Sequence, residues 1–291
     1  MQDKFDLRIK DHVERLKRQS CRAIEAEVAQ KRVAWFRQNH QAAGLPVRPS
    51  PRRAYELLFF DYLGLSENEV PVLSETEHEI VWLSLNAYPT LEAVKELRLD
   101  TRQICRAAYE KSTQALVSQL DPQLRFLRSY EEIRPYANHC KEMIIRVDFE
   151  AMMRIALQEA AASKQSGNPG YGAIVVLGPR ILGKAHATAV AEQEPNRHAE
   201  VNAVRQAVQV LGDSNLSGAI LFSTCEPYPK CVALAIRANL TTIVYGVSIE
   251  EIARPGESKR PVGAKEIVEQ SPVMIEFIGN VLRDECQSLY G

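Results

Sequence analysis

The chain has 291 residues, of which 45% are hydrophobic and 25% charged, and its 36 basic and 37 acidic side chains leave a formal net charge of -1. That balance excludes a strong overall pull toward nucleic acid or acidic membranes, and no window nears the roughly 18 apolar residues that a spanning helix needs. The length suits two domains, the six scattered cysteines form no disulfide framework, and the charged start MQDKFDLRIKDHVERLKRQS lacks a secretory signal, so a soluble, cytoplasmic protein with no membrane association is expected.

In chain order, residues from Lys4 to about His40 alternate charged and apolar groups at helical spacing without Gly or Pro, which predicts one long helix or two stacked ones. GLPVRPSPRR (Gly44–Arg53) reads as a turn-rich break. Ser50-Pro51 then supplies an N-cap and a first-turn proline for the helix RRAYELLFFDYLGL. SETEHEIVWLSLNAY (Ser74–Tyr88) offers a capping box, Ser74 with Glu77, before an apolar run, and so predicts another helix. Two further helical patterns follow, separated near Leu99-Asp100 in the manner of a helix-turn-helix, and Pro122 and Pro135 punctuate the rest. Residues 1–145 therefore read as an all-helical N-terminal domain.

From residue 146 to 291 the pattern changes to alternating strands and helices. FEAMMRIALQEAAASKQ is a helix; GYGAIVVLG and RILGKAHA form a hairpin around Gly178-Pro179; RHAEVNAVRQAVQVLG is a helix closed by Gly212. GAILFSTC, TTIVYGVS and VMIEFIG are strands, PKCVALAIRANL and VLRDECQSLYG are helices, and a Pro- and Gly-containing loop extends to about Gln270. This order predicts an α/β layer, with a largely parallel sheet after the first hairpin.

The residues that carry chemistry are His198, Glu200, Cys231 and the Cys225-to-Tyr228 segment. His198 and Cys231 each stand where a predicted helix begins, and unpaired backbone N–H groups there favour anions and thiolates. A catalytic zinc takes three protein ligands and leaves a fourth position for water, and Glu200, two residues past His198, is placed to move that water's proton. Taken singly, a histidine at a helix start is more often a cap, and Cys231 or Cys225 more often a small buried apolar group. The pairing of HAE on one helix with TCEP leading into another favours the metal reading.

The segment from Phe149 to Gly291 resembles the cytidine and deoxycytidylate deaminase superfamily, most closely its guanine deaminase and tRNA adenosine deaminase branch. That superfamily carries H-x-E followed by P-C-x-x-C, with one His and two Cys on zinc and the Glu as general acid and base. HAEVNAVRQA, GYGAIVV, LFSTCEP, AIRANLTTIVYGV and VLRDECQSLY carry the resemblance, which covers about half the chain. It implies a three-layer α/β/α domain, His198 and Cys231 as zinc ligands, Glu200 as proton shuttle, and the backbone at Ala199 beside the base. A homodimer is also implied.

Two positions depart from the pattern. Tyr228 stands where the third ligand is a cysteine, and a phenol is bulkier and less acidic than a thiol; Cys225, three residues earlier, is the alternative donor. In GKAHATAV, Ala187 occupies the place of an asparagine that would hydrogen-bond the base, with His186 beside it as a substitute. Three functions compete: a zinc-dependent hydrolytic deaminase of a nucleobase, nucleoside or related amino-heterocycle; a catalytically inactive deaminase-like subunit serving as partner or ligand scaffold; and a regulator or nucleic-acid adaptor acting through the helical domain. In favour of the last, Lys and Arg outnumber Asp and Glu by seven over the first 53 residues, although interleaved acids and the lack of an aromatic platform fit a solvated helix face better.

Overall fold

A computed structural model of the chain describes residues 2–40, 48–252, 263–271 and 275–290. The start of the Gly44–Arg53 break, part of the loop expected before Gln270, and the first residues of the strand expected at VMIEFIG lie outside the described residues. The chain divides into two compact units, Met1–Val147 and Asp148–Gly291.

In the N-terminal unit, α1 (Gln2–Arg18) and α2 (Cys21–His40) are the uninterrupted helices expected from the opening sequence. Ser50 caps α3 (Pro51–Glu56), its Oγ accepting the Arg53 N–H at 3.2 Å, with Pro51 in the first turn. The chain continues from α3 into a π-helical turn, Leu57–Tyr62, which buries Leu57, Leu58 and Phe59 against Trp82 and Phe126 in the unit's main core.

Beyond this point the all-helical expectation needs correction. α4 (Pro89–Glu96), α5 (Thr101–Ala108) and α6 (Glu110–Val117) form, but so do β1 (Val72–Glu75), β2 (Glu79–Ser84), β3 (Leu124–Arg128) and β4 (Cys140–Arg146), in an antiparallel sheet of order β1-β2-β4-β3. Ser74 lies on an exposed strand and caps nothing. Thr76 makes the turn instead, its Oγ1 accepting the N–H groups of His78 and Glu79 at 3.2 and 3.1 Å, and so closes a hairpin where a helix was expected.

The C-terminal unit opens with α7 (Phe149–Gln165), capped by Asp148, and the hairpin β5 (Gly172–Leu177) and β6 (Arg180–His186). α8 (Ala199–Leu211), β7 (Ile220–Cys225), α9 (Pro229–Arg237) and β8 (Thr242–Val247) follow. Then come α10 (Ile249–Ile252), α11 (Ala264–Gln270), β9 (Glu276–Ile278) and α12 (Arg283–Gln287). α10 and α11 fall in the stretch expected to be loop. The sheet order is β6-β5-β7-β8-β9, antiparallel at the hairpin and between β5 and β7, parallel from β7 to β9, as the alternating pattern predicts.

The layering follows from strand alternation. Ala173, Val175, Leu221 and Ile243 share one face with the alanine-rich inner sides of α8 and α9. Phe222, pointing the other way, meets Phe149 of α7 with ring centroids 5.4 Å apart. Two glycines allow this close stacking. A Cβ on Gly172 would lie 2.0 Å from the Ala156 carbonyl oxygen of α7, and one on Gly183 would lie 2.1 Å from that of Ala203 in α8. Among the described residues, no helix is long and apolar enough to cross a membrane.

Candidate metal centre and active site

Two helix starts build the site. His198 is the N-cap residue of α8, in extended backbone conformation, which places Ala199 and Glu200 in the first turn. Tyr228 holds the same position before α9, Pro229 fixes the first turn, and the Cys231 N–H closes onto the Tyr228 carbonyl at 2.8 Å. Strand β7 lies beside both helices in sequence and space, and delivers Ser223 from its fully buried run.

His198, Glu200 and Cys231 converge, with one ligand atom from each lying within 4.8 Å of the others. The His198 Nδ1 to Cys231 Sγ distance is 3.6 Å. Zinc–sulfur and zinc–nitrogen bonds of roughly 2.3 and 2.0–2.1 Å at a tetrahedral angle set their ligand atoms about 3.6 Å apart, so this pair fits one edge of a zinc coordination shell. The Cys231 thiol also donates to Glu200 Oε2 at 3.6 Å, and the Ser223 hydroxyl donates to Oε1 at 3.0 Å.

Glu200 is 5% exposed. Burial raises its carboxyl above the usual range, and the donors from the backbone, Ser223 and Cys231 oppose that shift. Burial, and then the Glu200 charge, push the Cys231 thiol up as well. Lys230, next to Cys231, donates to the Pro195 carbonyl at 2.7 Å and is exposed.

The other candidates fall into place as follows. Tyr228 faces the cluster: its ring stands edge-on to the His198 imidazole, with centroids 5.2 Å apart and planes at 86°. Cys225 is buried at the end of β7, outside the group of mutually close ligand atoms, and its electrostatic neighbours are Tyr245 and Tyr290. His186 is paired through Nδ1 to Glu159 of α7 at 2.9 Å. Ala187 is buried and held through its backbone: its N–H donates to the Tyr171 carbonyl at 3.0 Å, and its own carbonyl accepts the Ser163 hydroxyl at 3.0 Å. Ala199 is fully buried in the first turn of α8.

Two further polar residues shape the site. Ser223 is readable as one of two hydroxyls, with Thr224, in a buried strand, and each needs a partner. Asn202, one helical turn after His198, donates its amide to the His186 carbonyl at 3.0 Å and to Thr188 Oγ1 at 3.2 Å, tying the end of β6 to α8. No motif in the sequence singles it out.

Residues 146–247 match the family described as the cytidine and deoxycytidylate deaminase zinc-binding region. The tRNA-specific adenosine deaminase of Bacillus subtilis is 28% identical over 137 residues, 47% of this chain and 83% of that protein. The guanine deaminase of the same organism is 29% identical over 111 residues, 38% of this chain and 71% of its own. A tRNA(Ile)-lysidine synthase of Deinococcus deserti is 45% identical over 76 residues, but these span only 14% of its length. Among solved structures, a guanine deaminase from Nitrosomonas europaea aligns over 48% of this chain and 81% of its own at 20% identity and a TM-score of 0.43. The HAE and CEPYPKC helix starts meet at His198, Glu200 and Cys231, and the C-terminal half of the chain carries a cytidine and deoxycytidylate deaminase domain.

Proposed function

We propose that the C-terminal unit is a zinc-dependent hydrolytic deaminase that removes the exocyclic amine from a nucleobase, nucleoside or related amino-heterocycle. The convergence of His198, Glu200 and Cys231 carries this reading. His198 Nδ1 and Cys231 Sγ would hold zinc, with the Tyr228 phenol in the third ligand position. Zinc, when bound, supplies Lewis-acid activation of water near neutral pH. Glu200 would take one proton from the attacking water and give it to a ring nitrogen of the substrate, then take the second from the hydroxyl now on the ring carbon and give it to the amine that leaves as ammonia when the C–N bond breaks. Burial suits it to this task, since a raised carboxyl both takes and gives a proton more readily near neutrality. Ser223 holds Oε1, so Oε2, on the Cys231 side, is the oxygen assigned to the transfer. The backbone at Ala199, with His186 and Ala187 at the end of β6, forms the substrate side.

The relatives named tRNA-specific adenosine deaminase and guanine deaminase favour an aminopurine, as the small molecule or as a base within nucleic acid. The same reading assigns a cytoplasmic homodimer. A second reading rests on Tyr228 and Ala187, which replace a thiolate and an amide that the family pattern offers. Under it, the unit is a deaminase-like subunit that binds a partner or ligand without catalysis.

The test is metal content, followed by turnover. Full-length protein, purified without a metal-affinity step, is assayed for zinc by plasma mass spectrometry and for ammonia release from adenine, guanine, cytosine, their nucleosides and tRNA. About one zinc per chain, lost in His198→Ala, together with ammonia from one of these substrates, supports the enzyme. Folded protein with negligible zinc and no ammonia release sinks it and leaves the scaffold reading.

A further inference from the structure

The N-terminal unit contains a partly open cavity of about 750 Å³, the solvent space at its mouth included. Three arginines and one glutamate line it: Arg32, Arg128, Arg134 and Glu142. Glu142 is already saturated. Arg128 approaches its Oε1 with Nη2 at 2.6 Å and Nε at 2.7 Å, and Trp82 Nε1 and the Ser84 hydroxyl donate to Oε2 at 3.1 and 2.6 Å.

Arg32 and Arg134 therefore bring two positive charges that no acid lining the cavity balances. Arg32 is only 8% exposed. Its Nη1 donates to Thr113 Oγ1 at 2.6 Å and Ser112 Oγ at 3.3 Å, both neutral, and its Nε is buried without a hydrogen-bond partner among the described residues. Arg134 donates to the carbonyls of Asn86 and Leu85 at 2.8 and 3.3 Å, and its Nε is also buried without a partner among the described residues. Holding a buried guanidinium on hydroxyls and carbonyls alone is costly, and an incoming anion offsets that cost.

One part of the remaining wall is apolar, built from Leu58, Phe59, Leu91 and Phe126, while Asn86, Tyr88, Thr90 and Thr101 add polar groups elsewhere. Leu58 and Phe59 come from the π-helical turn Leu57–Tyr62. Such turns cost hydrogen-bond geometry and occur often at functional sites.

We propose that this cavity binds a small organic anion, a carboxylate or phosphate monoester on an aromatic or branched apolar body. The anionic group is taken up by the guanidiniums of Arg32 and Arg134, and the body packs on the apolar wall. Arginine suits either group, because its planar fork matches both carboxylate and phosphate oxygens.

The test uses the full chain in calorimetric titration and thermal unfolding, with benzoate, 3-methylbutanoate and phenyl phosphate as probes and benzamide as the uncharged control. At least one anion is expected to bind and to raise Tm with concentration, while benzamide does neither; benzoate against phenyl phosphate separates the two anion chemistries. Arg32→Met and Arg134→Gln are each expected to weaken the binding at least about tenfold. Arg134 is partly exposed, so R134Q keeps the test open if R32M does not fold. Cys140 also lines the cavity, so its alkylation by iodoacetamide in the unaltered chain should slow when the anion is present. Failure of all three anions, equal binding of benzamide, or affinity unchanged in R134Q would overturn the proposal.

Discussion

Glu142 in the N-terminal unit and Glu200 in the C-terminal unit are both buried among polar partners, and the two are treated oppositely. Glu142 of β4, in the N-terminal unit, meets a guanidinium, an indole N–H and a hydroxyl. Glu200 of α8, in the C-terminal unit, receives a backbone N–H, a hydroxyl and a thiol. The first is held in an ion pair with Arg128; the second sits among neutral donors, and burial raises its proton affinity. An ion pair fixes a carboxylate as structure, whereas desolvation without a cation prepares it for proton transfer.

The contrast makes opposite predictions for the same chemical change. Glu200→Gln replaces a carboxyl whose proton affinity is raised by burial with a near-isostere, so its cost to stability should stay below about 1 kcal/mol. Its effect on the proposed deamination should be a loss of about a thousandfold in kcat, within the range for removing a general acid–base group, with zinc content unchanged. Ammonia release measured beside urea unfolding separates the two quantities. A large stability loss in E200Q would break the comparison.

Glu142→Gln should behave in reverse. It leaves the Arg128 guanidinium, on a side chain 12% exposed, without its counter-charge, and removing one partner of a buried pair typically costs about 3–5 kcal/mol. Urea unfolding at neutral pH measures this, and deaminase turnover in the folded fraction should not change.

A third buried acid gives the comparison a pH axis. Glu25 of α2 is 6% exposed, with Oε1 lacking a hydrogen-bond partner among the described residues, and burial raises its pKa to about 7 despite the opposing pull of Lys111. Since its folded pKa lies above the unfolded value of 4.5, the folded state holds the extra proton between them. Stability is then full below about pH 4.5 and falls as pH rises through about 7, by up to about 3 kcal/mol. Glu25→Gln should flatten that decline in denaturant unfolding between pH 5 and pH 8. An equal decline in the variant would assign it to other groups.

How far the sequence foretold this depended on which faces an element buries. In the C-terminal unit the strands and helices alternate, and HAE and CEPYPKC sit at helix starts, so both the layering and the convergence of His198 with Cys231 could be read in advance. Cys225 could not be placed in that way, since a cysteine at a strand end signals burial whichever face it takes. The N-terminal sheet was hidden for a different reason. β2 is an inner strand that buries Ile80, Val81 and Trp82 in succession, which erases the period of two. β4 carries Lys141 and Glu142 near its start, and Arg128 across the β3–β4 register, with Trp82 and Ser84 of β2, makes that glutamate a core residue. The cavity arginines were equally illegible, because the basic surplus of the opening 53 residues does not tell Arg32, turned inward, from its solvated neighbours.

The smallest predicted effect tests that difference at two serines. Both Ser50 and Ser74 precede an acidic or apolar run that reads as a helix start. Ser50 Oγ accepts the Arg53 N–H at 3.2 Å and caps α3, so Ser50→Ala removes the partner of an otherwise orphaned donor and should cost about 1 kcal/mol. Ser74 is exposed on β1, where the neighbouring turn is held by Thr76, and Ser74→Ala should stay within about 0.5 kcal/mol. Chemical denaturation of the two variants measures the gap. Equal losses would mean that a capping box operates at Ser74 after all, and would return Ser74–Tyr88 to the helix that its sequence pattern suggests.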